Sequence, residues 1–145
     1  MKECGGFEHL EHTADVLIRA KGRTLEEAFE NSALGVYEVI TNTTLVKPRA
    51  RIALETRGYD IENLLYRWIE EHLAYTDHDH LVFSIFRVCS IDREGDEWVI
   101  RSSAWGEKFD IERHEHRTIV KAMTYAQMEI REVNGCWTVQ FVVDI

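Results

Sequence analysis

The sequence has few of the residues that bend or cross-link a chain. It contains one proline, and its three cysteines, Cys4, Cys89 and Cys136, stand far apart with no CxxC pair. So small and odd-numbered a set predicts reduced thiols rather than a disulfide framework or a zinc cluster. We expect Cys4 to be exposed and Cys89 and Cys136 to be small strand residues. Cys89 has no cationic neighbour in sequence, which favours a core position over a nucleophilic role.

Long apolar runs are missing as well. No segment reaches the roughly 18 consecutive apolar residues of a membrane span, and the first six residues lack the apolar core of a signal peptide. No linker rich in Pro, Gly or Ser interrupts the chain. These absences predict a cytoplasmic protein with one domain, residues 1–145, in which 45% hydrophobic residues supply the core.

Basic charge is also scarce. Lys and Arg number 17 against 26 Asp and Glu, which gives a net charge of -9. Because a protein that holds nucleic acid through phosphate contacts needs a basic surface, this balance disfavours strong direct binding to nucleic acid and favours action on another protein. The sequence also lacks GxxxxGKS or GxxxxGKT, a GxGxxG after a strand, and a GxSxG elbow. The common sequence signatures of nucleotide-binding enzymes and of serine hydrolases are therefore missing.

Apolar periodicity predicts an α+β fold. Thr24 and Glu27 form a capping box ahead of a helix from about Leu25 to Ile40, and Asp60 can cap a second helix from about Ile61 to Tyr75. The first helix is apolar almost all round, so it must be covered on more than one side. We expect two main helices packed against a largely antiparallel or mixed β-sheet, either between sheet layers or between a sheet and a long loop. Strands are predicted near 7–10 (or an extended arm), 16–20, 49–56, 81–91, 97–104, 128–133 and 136–143.

Two further patterns concern the second half of the chain. Asn134-Gly135 separates the last two predicted strands, and this dipeptide is the strongest short hairpin signal. The stretch 106–118 is mixed, with Phe109 and Ile111 as candidates for another strand.

Acidic residues stand at both ends of the chain, next to predicted strands. Asp15 immediately precedes one strand, and Asp144 and Ile145 follow the last strand directly. If the two ends meet, the two aspartates and the main-chain carboxyl of Ile145 could bind a hard cation or a basic partner group. The alternative is that Asp15 caps a turn and Asp144 is solvated, which is the norm for aspartates.

Lys121 and several histidines are weaker candidates. Lys121 lies in a largely apolar stretch, where it either pairs with a carboxylate or is an ordinary surface lysine. The pairs His78/His80 and His114/His116 are spaced for chelation from a strand. We favour solvated loops over a zinc site for both pairs, because they fall among many charges where turns are expected.

Four sequence motifs, in this order, resemble those of the archease family, and the likeness covers essentially the full length of the chain. They are the FEHLEHTAD run that ends at Asp15, the helix segment 28–33, the KAMTY run from Lys121 to Tyr125, and the ending Val143-Asp144-Ile145. The HTAD phrase and the final Asp-Ile are specific in combination, although each is short.

The resemblance implies both a function and a site. Archeases are protein cofactors of the RNA-splicing ligase RtcB, so the resemblance implies that the chain promotes ligase guanylylation and multiple turnover in tRNA splicing. It would not join RNA itself and is expected not to be an enzyme. It further implies a divalent ion, most often calcium, held by Asp15, Asp144 and Ile145, with His12 and Lys121 in support.

One departure from the family pattern concerns Ala126. A histidine often follows the tyrosine of the lysine motif in this family, and its loss here would have to be tolerated or compensated by His12 or His9. The resemblance also leaves open a second role, a chaperone-like modulator of tRNA-modifying methyltransferases.

Overall fold

The computed structural model describes residues 4–11 and 14–145, which form helices and strands in a mixed order. The elements are β1 (Phe7–Glu11), β2 (Asp15–Gly22), α1 (Leu25–Ile40), a 3-10 turn (Thr43–Leu45), β3 (Ala50–Gly58), α2 (Ile61–Asp79), β4 (Leu81–Glu94), β5 (Glu97–Lys108), β6 (Ala122–Met123), β7 (Glu129–Val133) and β8 (Cys136–Asp144).

The strands form two antiparallel sheets. The first has the order β1-β2-β8-β6, with β7 also paired to β8, and the second has the order β3-β5-β4. Every strand pair in the described ranges is antiparallel. The predicted α+β class is confirmed, and the sheets are antiparallel rather than mixed.

Both helices lie between the two sheets. Helix α1 contacts β2 and β8 of the first sheet and β4 of the second, and α2 contacts β3 and β5 as well as β6 and β7. Phe29, Val36 and Tyr37 of α1 and Trp68 of α2 are completely buried. The apolar residues around α1 therefore have a sheet on each side to cover them, as their distribution predicts.

The helix starts follow the predicted caps. Thr24 Oγ1 accepts a hydrogen bond from the Glu27 N–H at 3.0 Å, and Asp60 Oδ1 accepts one from the Asn63 N–H at 2.7 Å. Helix α2 runs one turn beyond the predicted end and stops at His80, whose φ of 58° is left-handed. The predicted loop at 77–79 was therefore wrong, because this segment is the last turn of α2.

The hairpin prediction at Asn134-Gly135 is confirmed. Both residues have positive φ, 53° and 77°, as a two-residue turn with the twist of the strands requires. Phe109 and Ile111, by contrast, lie in no strand, because β5 ends at Lys108 and irregular chain follows it.

The prediction of reduced thiols was wrong for two of the three cysteines, although Cys89 and Cys136 lie in strands as predicted. Cys4 and Cys136 form a disulfide with their Cα atoms 5.8 Å apart, although 132 residues separate them in sequence. The sheet explains this pairing: β1 runs along β2, and Gly22 at the end of β2 lies opposite Trp137, the neighbour of Cys136. Cys89 is an exposed free thiol in β4 rather than a core residue.

In the part of the chain that the structure describes, neither helix combines the length and the apolar character needed to cross a membrane.

Candidate functional site

The two acidic ends of the chain meet at one end of the first sheet. Strand β8 lies between β2 and β6 there, and Asp144 is paired with Asp15 on one side and Ala122 on the other. Chain segments more than a hundred residues apart therefore lie side by side. The register confirms the prediction that the two acidic segments meet.

The register also fixes the direction of the two carboxylates. Directly opposite residues of an antiparallel pair point to the same face of a sheet, with Cβ atoms about 4.5–5.5 Å apart. Val16 and Val143, the adjacent pair, are buried in the core against the helices. Because side chains alternate along a strand, Asp15 and Asp144 point to the opposite face, away from the helices. Asp144 is exposed and Asp15 is half-buried.

Main-chain hydrogen bonds hold Ile145 and Lys121 at the same place. The Ile145 N–H donates to the Ala14 carbonyl at 3.4 Å, and the Lys121 N–H donates to the Asp144 carbonyl at 2.8 Å. The side chain of Ile145 packs against the core, whereas Lys121 is exposed. The structure thus brings together Asp15, Asp144, Ile145 and Lys121, while His12 lies outside the described residues.

The donor set at this end of the sheet fits a hard cation. Calcium takes carboxylate and main-chain oxygens and completes its shell with water. Two carboxylates on one face, beside the main chain of Ile145, provide such oxygens. Among the described residues, no group of three or more His, Cys, Asp or Glu side chains could hold a metal ion. A cation here would therefore depend on main-chain oxygens and water besides the two aspartates.

His9 lies close to this place. Its Nε2 hydrogen-bonds with the Gly35 carbonyl at 2.9 Å, which fixes the ring against α1. His9, Val16 and Ile145 line a cavity of about 410 Å³ that also reaches Arg117.

The histidine pairs do not form metal sites among the residues described. His78 lies in the last turn of α2, and His80 and His116 line a separate cavity of about 400 Å³ with mainly apolar walls. His114 is buried rather than solvated, which corrects the sequence prediction. Its Nδ1 accepts from the Asp110 N–H at 2.8 Å, so Nε2–H donates to the Glu107 carboxylate at 2.9 Å.

Glu107 is the centre of that buried group. Hydrogen bonds from Arg113, and then from the Lys47 N–H and His114, lower the pKa of Glu107 to about 2 despite its desolvation. The Glu107 carboxylate balances the charge of Arg113 and holds the segment that follows β5 against the end of that strand.

An aromatic cluster beside the acidic end was missed by sequence reasoning. Tyr66 of α2 stacks on Tyr125 with ring centroids 4.5 Å apart and an interplanar angle of 7°. Burial, and then the negative charge of Glu70, Tyr125 and Asp144, raise the pKa of Tyr66. The only sequence signal was the place of Tyr125 in the KAMTY run, because nothing in the pattern of α2 pairs Tyr66 with it.

Comparison with known proteins identifies the family of this chain. The model of the Archease protein family (MTH1598/TM1083) matches residues 7–145. The chain is 66% identical over 143 residues to Protein archease of Aeropyrum pernix, covering 99% of each chain. The solution structure of Methanobacterium thermoautotrophicum protein 1598 has a TM-score of 0.84 and 38% identity, covering 97% of this chain and 99% of that one. The chain belongs to the archease family.

A crystal structure from Thermotoga maritima supports the fold alone. That protein, described as an archease and possible chaperone, has a TM-score of 0.59 and 18% identity, and the match covers 94% of each chain.

Proposed function

We propose that this protein is a non-catalytic activator of an RtcB-type RNA ligase, acting in the cytoplasm to promote ligase guanylylation and multiple turnover in tRNA splicing. Family membership over residues 7–145 supports this role. The observation that carries it is the pairing of Asp15 with Asp144 at the end of the first sheet. A net charge of -9 suits a protein that acts on a basic partner surface rather than on RNA itself.

In this proposal, Asp15, Asp144 and main-chain oxygens of Ile145 hold a divalent ion, namely calcium. The bound ion would polarise phosphate oxygens during nucleotide transfer by the ligase. The protein's own residues orient the acidic end of the sheet towards the cationic active site of the ligase, where their negative charge is complementary. Lys121 lies beside Asp144 in the chain's hydrogen-bond ladder and would contact the partner or its nucleotide. His12 lies three residues before Asp15 in the sequence, and we assign it a supporting role.

Multiple-turnover ligation tests the role directly. Cleaved tRNA halves are incubated with substoichiometric RtcB-type ligase from the same source, with and without this protein. We expect repeated turnover only when the protein is present, and no joining of RNA by the protein alone. Asp144→Asn should lose the stimulation, because it removes one of the two paired carboxylates.

The matched control is Asp92→Asn. Asp92 is also exposed on a strand, but it lies in β4 of the second sheet. This variant should stimulate the ligase as the wild-type protein does. Full stimulation by Asp144→Asn, with circular dichroism unchanged in both variants, would contradict the proposed role of the acidic end.

The second candidate is a chaperone-like modulator of tRNA-modifying methyltransferases. It is favoured by the description of the Thermotoga maritima protein as a possible chaperone. It predicts a stable complex with a methyltransferase and a change in the sites that enzyme modifies. Because this effect would not need the paired carboxylates, it should persist in Asp15→Asn and Asp144→Asn, which separates it from the first proposal.

A further inference from the structure

Three tyrosines, two exposed and one half-buried, lie together beside the acidic end. Tyr59 lies in the turn before α2, Tyr66 lies in α2, and Tyr125 follows β6. Tyr59 is 70% exposed and Tyr125 is 46% exposed, although large apolar side chains are mostly buried in this chain. We call these three residues the tyrosine surface.

Hydrogen bonds hold the tyrosine surface in position. The side-chain amide of Asn63 donates to the Tyr125 hydroxyl at 2.9 Å, and its carbonyl oxygen accepts from the Tyr59 N–H at 3.3 Å. The interaction of the Tyr59 phenol with the Tyr125 phenol raises the pKa of Tyr59. Asn63 is buried, and its N–H donates to the side chain of Asp60, the N-cap of α2. The stacked rings of Tyr66 and Tyr125 are therefore held in place before any partner binds, so their binding costs little side-chain entropy.

Acidic groups surround the tyrosine surface. Asp60 directly follows Tyr59 in the chain, and Glu70 lies one turn after Tyr66 in α2, where burial and then the negative charge of Glu70 raise the pKa of Tyr66. The nearest basic side chain along α2, Arg67, interacts with Glu71. Exposed aromatic faces with neighbouring carboxylates favour a cationic group over an anionic one.

We infer that the tyrosine surface binds an arginine side chain of a protein partner. A guanidinium group stacks on aromatic faces and pairs with carboxylates at once, which an ammonium group does less well. Tyrosine and arginine are also the residues that dominate protein–protein interfaces. A nucleobase could stack on the same rings, but such platforms are normally set in basic surroundings, and here the surroundings are acidic. The inference rests on the proposed function only in that the partner is a protein.

Oligoarginine and oligolysine peptides of equal length provide the test. We expect the wild-type protein to bind oligoarginine about ten-fold more tightly than oligolysine. Tyr59→Ala should lose most of that preference, because Tyr59 is the most exposed of the three rings. For the same reason its removal should leave the fold intact. Ile111→Ala is the control, since Ile111 is 75% exposed but lies in the loop after β5. It should keep the full preference.

Two results would overturn the inference. One is an unchanged arginine preference in Tyr59→Ala. The other is a loss of oligouridine binding in Tyr59→Ala with oligoarginine binding unaffected, which would identify the surface as a platform for bases.

Ligase turnover, measured in parallel, separates this inference from the proposed function. If wild-type protein does not stimulate the ligase but Tyr59→Ala loses the arginine preference, the proposed function fails and the tyrosine surface stands. If wild-type protein stimulates the ligase and Tyr59→Ala keeps the preference, the tyrosine surface alone fails.

Discussion

Two carboxylate sites at strand ends differ in how their charge is balanced. Glu107 in β5 is 5% exposed, and Arg113 and His114 lie 2.8 and 2.9 Å from its oxygens. Asp144 at the end of β8 is exposed opposite another aspartate, and it takes part in no ion pair within residues 4–11 and 14–145. A carboxylate neutralised inside the protein stabilises the fold, whereas like charges placed together at the surface cost stability unless a ligand or a partner balances them.

The largest expected effect on stability comes from the disulfide. It lies at one end of the first sheet, and Asp15 and Asp144, which we call the acid pair, lie at the other, so its removal tests whether stability and function depend on different ends. Cys4→Ser should remove the disulfide and lower the free energy of unfolding by about 4 kcal/mol, because the bond closes a very long loop in the unfolded chain. Thermal unfolding with and without dithiothreitol measures this. Cys89→Ser, which removes the exposed free thiol, should change nothing. A calcium affinity that falls with the disulfide would show that the two ends are not independent.

Removing the neutralised carboxylate should have the next largest effect. Glu107→Ala leaves His114, the Lys47 N–H and Arg113 without their acceptor, and we expect a loss of about 3 kcal/mol. Glu94→Ala is the control, because Glu94 also pairs with arginines but is exposed, so its loss should destabilise the protein much less. Urea unfolding compares them. Equal losses in the two variants would mean that burial of Glu107 adds nothing.

Low pH should destabilise the fold through His72, a buried side chain that is neutral in the folded protein. His72 is completely buried, its Nδ1–H donates to the Trp68 carbonyl at 2.7 Å, and its pKa is lowered by burial to about 4. Below the unfolded value near 6.5, the unfolded chain binds a proton that the folded chain does not bind until about pH 4. Stability should therefore fall as the pH is lowered from 7 to 5, by about 2 kcal/mol.

The variant His72→Leu isolates this contribution. Its stability should change less over the same pH range, because no proton is then taken up at this position on unfolding. The pKa of Glu107 is lowered to about 2, so the stability it contributes is present above its ordinary value of 4.5 and is lost only as the pH falls further. An unaltered pH slope in His72→Leu would show that other groups cause the acid sensitivity.

The sequence predicts the local features well because each has a short-range cause. The caps at Thr24 and Asp60 and the turn at Asn134-Gly135 are set by residues within a few positions. The juxtaposition of Asp15 and Asp144 could also be expected. Each adjoins a strand-like run, and the family resemblance implies that both bind the same ion.

The features that the sequence did not predict depend on contacts between distant segments. The Cys4–Cys136 bond follows from the strand order, and composition gives no sign of it. His114 can be buried because the Glu107 carboxylate accepts a hydrogen bond from its Nε2–H. Its charged sequence neighbours had instead suggested a solvated loop. The stack of Tyr66 on Tyr125 likewise arises only when α2 reaches the edge of the first sheet.

The smallest expected effect on stability comes from the acid pair, and it sharpens the comparison most. With a chelator present, Asp144→Asn should change the free energy of unfolding by under about 0.5 kcal/mol, because it removes an exposed charge and relieves repulsion from Asp15. Calcium at about a hundred times its Kd should stabilise the wild-type protein by about 2.7 kcal/mol and the variant by much less. Scanning calorimetry of both proteins, with calcium and with chelator, gives the four values. A variant that is strongly destabilised in chelator would make Asp144 a structural residue like Glu107, and the contrast between the two sites would then be lost.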